Sequence, residues 1–264
     1  MLTILFIGDI SGKPGRGAVA RLLGPLRDRC GADLVIANAE NAAGGIGLTK
    51  PTAIELLDAG IDVITLGNHA FAKPDIHALL DHESRVIRPA NYPSGAPGKG
   101  WREYKTASGR SVAVVNLVGR VFMNPVDCPF ACADAILDGL PDTVRTIVVD
   151  MHAEATSEKM AMGWHLDGRA SAVIGTHTHI QTSDERVLPH GTAYLTDVGM
   201  TGVHDSVLGL DKDAVLERFL TGMPGKFAMA QGEATLQAAI IRIDPQSGHA
   251  LGIERISVRE NEVL

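Results

Sequence analysis

Short apolar runs alternate along the chain with amphipathic stretches, the pattern left by strands and helices that take turns. Leu2 to Ile7 is a continuous apolar run, too short for a helix and ended by Gly8-Asp9, so it predicts a buried strand. Val19, Leu22, Leu23 and Leu26 recur at helical spacing with Gly31 just beyond, which predicts a helix over residues 17–29. Residues 34–37 read as a second strand. Thr49, with Pro51 just inside, opens a helix to about residue 59, and residues 61–66 read as a third strand. Another helix is expected over residues 74–80.

From Trp101 the pattern changes. Residues 101–106 and 112–118 are two β-rich runs joined by Ala107-Ser108-Gly109-Arg110, which predicts a hairpin and a sheet that has turned antiparallel. Residues 146–150, 172–175 and 193–196 read as further short strands. A second hairpin is expected from residues 234–243 and 251–258 around Asp244-Pro245-Gln246-Ser247-Gly248. No linker, repeat or low-complexity tract interrupts the series. The expectation is an α/β protein, one domain over residues 1–264, with one mixed sheet or two packed sheets.

Composition narrows the partners. The 264 residues are 45% apolar and 21% charged, which suits a globular chain and disfavours disorder, collagen and coiled coil. Lys and Arg number 24 against 31 Asp and Glu, a net charge of -7, and no basic run stands out, so extended nucleic acid is not an expected partner. The three cysteines, Cys30, Cys128 and Cys132, are too few for a disulfide framework and are expected to be buried free thiols in a reducing cytoplasm. Cys128 and Cys132 form C-x3-C, but no second pair answers it as a zinc knuckle would need. The apolar start lacks a basic region, and no stretch approaches the roughly 20 apolar residues of a membrane helix, so a soluble cytoplasmic protein without membrane contact is expected.

The chemistry lies directly after the predicted strands. Asp9 follows the first, Glu40 and Asn41 the second, Asn68 and His69 the third, His152 the run 146–150, and His177 with His179 the run 172–175. In α/β sheets the carboxyl ends of strands meet where ligands bind. A convergence of carboxylates, amides and imidazoles there is a donor set for transition metals. In an extended segment His177 and His179 would point to the same side. The donors outnumber the roughly four that a single zinc would use, which favours two metals with Glu40 as the bridging carboxylate. Such a pair polarises a phosphoryl group and activates water, so the implied reaction is hydrolysis of a phosphate ester.

The order Asp, Glu-Asn, Gly-Asn-His, strand-ending His, Gly-Thr-His-Thr-His resembles the calcineurin-like metallophosphoesterase superfamily. Its most specific marks are Gly67-Asn68-His69 and Gly175-Thr176-His177-Thr178-His179. Ile7-Gly8-Asp9-Ile10, Ala37-Asn38-Ala39-Glu40-Asn41 and Thr65-Leu66-Gly67-Asn68-His69 bring it closer to the YmdB-like branch. The resemblance covers most of the chain. It implies two packed mixed β-sheets flanked by helices, a four-layer sandwich. It also implies one metal held by Asp9, Glu40, Asn41 and His179, another held by Glu40, Asn68, His152 and His177, and His69 as the acid that protonates the leaving oxygen. The superfamily's usual opening Asp-x-His is here Asp9-Ile10-Ser11, and Glu40-Asn41 stands where Gly-Asp is usual. Both changes favour oxygen over nitrogen ligands, so iron, or else manganese, is expected over zinc. The implied substrates are small phosphodiesters, 2',3'-cyclic nucleotides foremost.

Rival readings are weaker. Gly15-Arg16-Gly17-Ala18-Val19-Ala20 matches a dinucleotide-binding fingerprint but does not follow the first strand directly, and Gly8 to Lys13 is one residue short of a phosphate-binding loop. A phosphomonoesterase, a 3',5'-cyclic-nucleotide phosphodiesterase and a regulatory protein with a vestigial metal site remain alternatives, the last lacking a reason to keep His69 beside the metals. His204, in a glycine-bearing loop, is a candidate for the substrate rim. Cytoplasmic enzymes of this size are commonly symmetric, so a homo-oligomer is expected.

Overall fold

β1 (Leu2–Ile7) is buried at every residue because both of its faces are covered. In the computed structural model, which describes residues 1–262, it is followed by β2 (Asp9–Ile10), α1 (Gly12–Cys30), β3 (Leu34–Asn38), α2 (Lys50–Asp58), β4 (Val63–Thr65) and α3 (Ile76–His82). Next come β5 (Trp101–Lys105), β6 (Ser111–Val118), α4 (Pro129–Asp138), β7 (Thr146–His152), α5 (Thr156–His165) and β8 (Ala172–Thr176). The chain continues through β9 (Arg186–Val187), β10 (Ala193–Leu195), β11 (Met200–Val203) and α6 (Lys212–Thr221) to the hairpin β12 (Ala234–Ile243) and β13 (Ala250–Arg259).

These strands form two mixed sheets. The first has the order β2-β11-β12-β1-β3-β4, with β13 paired along β12. The second has the order β5-β6-β7-β8-β10-β9. Side-chain alternation along each strand explains the stacking. Leu2, Ile4 and Phe6 of β1 meet Val112 and Val114 of β6, Val148 of β7 and Ile174 of β8 in a core between the sheets. Leu5 and Ile7, facing the other way, pack under Leu22 and Leu26 of α1 and Leu56 of α2. Val115, Val149 and Val173 likewise turn outward to Ala133 of α4 and Met162 of α5. Helices, sheet, sheet and helices give the four layers.

Several expectations change. α1 begins at Gly12 rather than residue 17, because Pro14 falls in the first turn, where a missing N–H breaks no helical bond. The second sheet turns antiparallel only at its edges, β5 on β6 and β9 on β10. β6, β7, β8 and β10 run parallel. Their near-complete burial is what parallel strands covered on both faces require. The three cysteines are free but half-buried, not buried. No helix of the described residues is long and apolar enough to cross a membrane.

Candidate metal centre

The carboxyl ends of both sheets meet at one cleft. β1 delivers Asp9 through Gly8, β3 runs into Glu40 and Asn41, and β4 into Asn68 and His69. From the second sheet, His152 is the last residue of β7 and His177 follows β8. All eight candidates therefore come together, drawn from two stacked sheets.

The tightest group is Glu40, His152 and His177. Glu40 Oε1, Asn68 Oδ1 and His177 Nδ1 each lie 3.0 Å from His152 Nε2. One N–H cannot serve three such partners, whereas a cation among these lone pairs serves them all. Gly67 fits the same reading: a Cβ there would run into the His152 ring and Glu40 Oε2, so the backbone keeps the space between the donors clear. Chemistry and space together suit a metal ion.

The second group is more open. Asp9 is fully buried, its Oδ2 accepts from the backbone N–H of His177 at 3.1 Å, and its Oδ1 has no hydrogen-bond partner. That orphaned oxygen lies 3.9 Å from His179 Nε2, which in turn lies 3.1 Å from the Asn41 amide. A buried acceptor left without a donor is costly unless a cation supplies the positive charge.

Further residues, not singled out in the sequence, fix the ligands. His152 Nδ1 donates to Thr176 Oγ1 at 2.9 Å, and that hydroxyl donates to Asp150 Oδ1 at 2.6 Å, which leaves Nε2 free for a metal. Glu154 Oε2 accepts from His177 Nε2 at 3.0 Å and so frees Nδ1 in the same way. Glu154 lies two residues beyond His152, a spacing that puts both on one side of an extended chain and is a signal open to sequence reading. His177 and His179 do not lie in an extended segment. Their φ angles are 97° and 63°, so the chain bends at each, and the two rings serve different groups instead of pointing together.

Electrostatics agree with a site that wants positive charge. Burial pushes the Asp9 carboxyl up, and pushes Asp150 up to about 6. Burial also opposes ionisation of Glu40, but the charge and hydrogen bond of His152, with help from His69, bring it down to about 2. For His152 burial works against the charged ring, and Glu40, Asp9 and Asp150 outweigh it, raising it to about 9. Burial and the neighbouring His152 hold His177 down to about 3. In the ion-free chain a proton on His152 thus does part of a cation's work.

His69 lies at the rim of this group. Its backbone N–H donates to Glu40 Oε2 at 2.9 Å, and its ring Nδ1 lies 4.0 Å from Glu40 Oε1 without a hydrogen-bond partner. It lines a cleft of about 480 Å³ together with Glu40, Asn41, His177 and His179. His204 is not part of it. Its ring bonds to the Met200 carbonyl and borders a separate depression beside Asp205 and Gln231.

A family model described as YmdB-like protein matches residues 5–256. A Bacillus subtilis (strain 168) protein named 2',3'-cyclic-nucleotide 2'-phosphodiesterase is 47% identical over 263 residues, covering 100% of this chain and 99% of its own. A crystal structure of a Thermus thermophilus protein superposes with a TM-score of 0.92 at 46% identity, over 98% of this chain and 99% of that one. The calcineurin-like phosphoesterase YfkN of Bacillus subtilis shares the fold, with a TM-score of 0.54 at 13% identity over 98% of this chain and 90% of its own.

Proposed function

The chain belongs to the YmdB-like protein family, and from that premise we propose that it is a binuclear-metal phosphodiesterase that hydrolyses 2',3'-cyclic nucleotides. The observation that carries the reading is the meeting of Glu40 Oε1, Asn68 Oδ1, His152 Nε2 and His177 Nδ1 around one point. Asp9, Glu40, Asn41 and His179 would hold one ion, and Glu40, Asn68, His152 and His177 the other, with Glu40 shared. Bound there, two iron or manganese ions would supply phosphoryl polarisation and an activated water.

The protein's own groups do the rest. Glu154, Thr176 and Asp150 hold the two imidazoles so that each presents a lone pair. Gly67 keeps the middle of the site free of side chain. His69, with an unpartnered ring nitrogen at the rim, is placed to give a proton to the departing oxygen. For a 2',3'-cyclic ester opened at the 2' position, water adds at phosphorus, the bond to the 2' oxygen breaks, and that oxygen leaves as a hydroxyl. The product keeps its phosphate on the 3' oxygen. A net charge of -7 argues for such small substrates and against long polyanions.

The test is a panel of 2',3'-cyclic nucleotides, 3',5'-cyclic nucleotides and phosphomonoesters, assayed with purified protein loaded with iron, manganese or zinc. Preferential opening of 2',3'-cyclic esters supports the reading. Faster hydrolysis of monoesters would replace it with a phosphatase.

A further inference from the structure

The cleft that holds the candidate ligands carries two chemistries. Its lining includes Glu40, Asn41, His69, His177 and His179, and also Ile46, Leu208, Leu210, Phe227 and Met229. Apolar side chains that share one cleft with an ionic cluster have no use for inorganic phosphate, but they suit a ligand with a charged end and a flat, weakly polar body.

The apolar side is built. Asp211 N–H donates to the Ala228 carbonyl and Ala230 N–H to the Gly209 carbonyl, each at 2.9 Å, which ties the segment carrying Phe227 and Met229 to the one carrying Leu208 and Leu210. Gly45, at φ 91°, makes the room: a Cβ there would run into Met229 Sδ. The Arg218 guanidinium lies over the Phe227 ring, 5.2 Å from its centroid. Phe227 lines the cleft and Arg218 does not, so the guanidinium packs on the ring from outside the opening. Leu208, at φ 55°, turns its carbonyl to accept from His179 Nδ1 at 3.2 Å, so the wall and a candidate ligand are held by one bond.

We infer that Phe227, Met229, Leu208 and Ile46 form a nucleobase subsite that holds the base by its face, an inference that rests on the phosphodiesterase reading above. The lining side chains able to hydrogen-bond belong to the ligand cluster or its neighbours, apart from the Ser11 hydroxyl beside Gly209. The site therefore senses that a base is present more than which base it is. Stacking on an aromatic ring is tolerant of base identity and amounts to roughly tenfold or more in affinity.

The test compares adenosine 2',3'-cyclic phosphate, uridine 2',3'-cyclic phosphate and methyl riboside 2,3-cyclic phosphate, which lacks a base. Calorimetric binding of adenosine 3'-phosphate and ribose 3-phosphate to the metal-loaded protein reads the subsite even if no ester is hydrolysed, so failure of the activity is a separate result. Both nucleotides should show KM about tenfold below the base-free ester, adenosine phosphate should bind about tenfold tighter than ribose phosphate, and adenine and uracil should differ less than that. Phe227→Ala should bring both ratios close to one, while Phe227→Trp, which keeps an aromatic face, should preserve them. Equal binding of the base-bearing and base-free phosphates by the unaltered protein, or ratios unchanged by Phe227→Ala, would overturn the subsite.

Discussion

The Lys159 ammonium lies 2.8 Å from the Asp197 carboxylate, and neither side chain reaches solvent. Asp197 Oδ2 also accepts from the backbone N–H of Thr178 at 3.0 Å and from its hydroxyl at 2.6 Å. Lys159 donates in addition to the Thr176 carbonyl at 3.1 Å. Thr178 separates His177 and His179, both held at positive φ, a conformation that costs about 1–3 kcal/mol per residue unless its surroundings enforce it. The buried pair is the enforcement.

Lys159→Met should therefore do more than weaken the fold. Leaving Asp197 charged, buried and unpaired costs about 3–5 kcal/mol, and the turn it grips would relax, so metal content should fall along with the melting temperature. Asp197→Asn keeps an acceptor for Thr178 but leaves the Lys159 ammonium buried without its counter-charge, so it should lower both measures as well. A Lys159→Met protein with a lowered melting temperature but full metal content would show that the pair stabilises the fold without positioning the histidines.

Glu40→Gln tests the shared ligand. An amide offers one weakly charged oxygen where a carboxylate offers two, so it cannot balance two cations. Elemental analysis should find about two ions per chain in the loaded protein and a loss of both in the variant. Loss of one ion with the other retained would limit Glu40 to a single metal.

The His152 shift gives a pH test. Its pKa in the ion-free fold is raised from 6.5 to about 9, so its proton stabilises the fold fully below about pH 6.5, and that contribution is lost as pH rises through about 9. Chelated protein should melt progressively lower across that window. A metal must displace the same proton, so manganese uptake at about pH 7.5 should release about one proton and weaken as pH falls. Calorimetry in two buffers of different ionisation enthalpy reads the proton. Uptake without release would remove His152 from the ligand set.

The strand ends are legible in the sequence because each polar candidate there follows within a few residues of an apolar run. Asp9, two residues after Ile7, and Glu40, three after Ala37, are the clearest, and the chain brings both to His152 as expected. The turn at His177 reads as extended from spacing alone, since positive φ is uncommon at any residue but glycine and no glycine marks the bend. Lys159 is invisible for a different reason: a lysine in an amphipathic helix reads as solvated, and only its partners Asp197 and Thr176, 38 and 17 residues away, make it interior. The apolar wall of the cleft has no period at all. It is assembled from residues near 46, 208 and 227 by loop bonds that no local pattern encodes.

His69 follows the candidate ligand Asn68, and its ring lies near Glu40 without bonding to it, which separates two roles that a ligand and an acid would otherwise share. If it is the acid, His69→Ala should keep fold and metal content while turnover of a cyclic nucleotide falls by about 10² to 10⁴. The size of the loss should depend on the leaving group. A sugar alkoxide needs a proton as it departs, whereas nitrophenolate leaves readily without one, so a nitrophenyl diester should lose much less. Steady-state turnover of both esters, with metal content measured on the same samples, decides the matter. Equal losses on the two esters, or metal lost in parallel, would make His69 a positioning residue or a ligand instead of the proton donor.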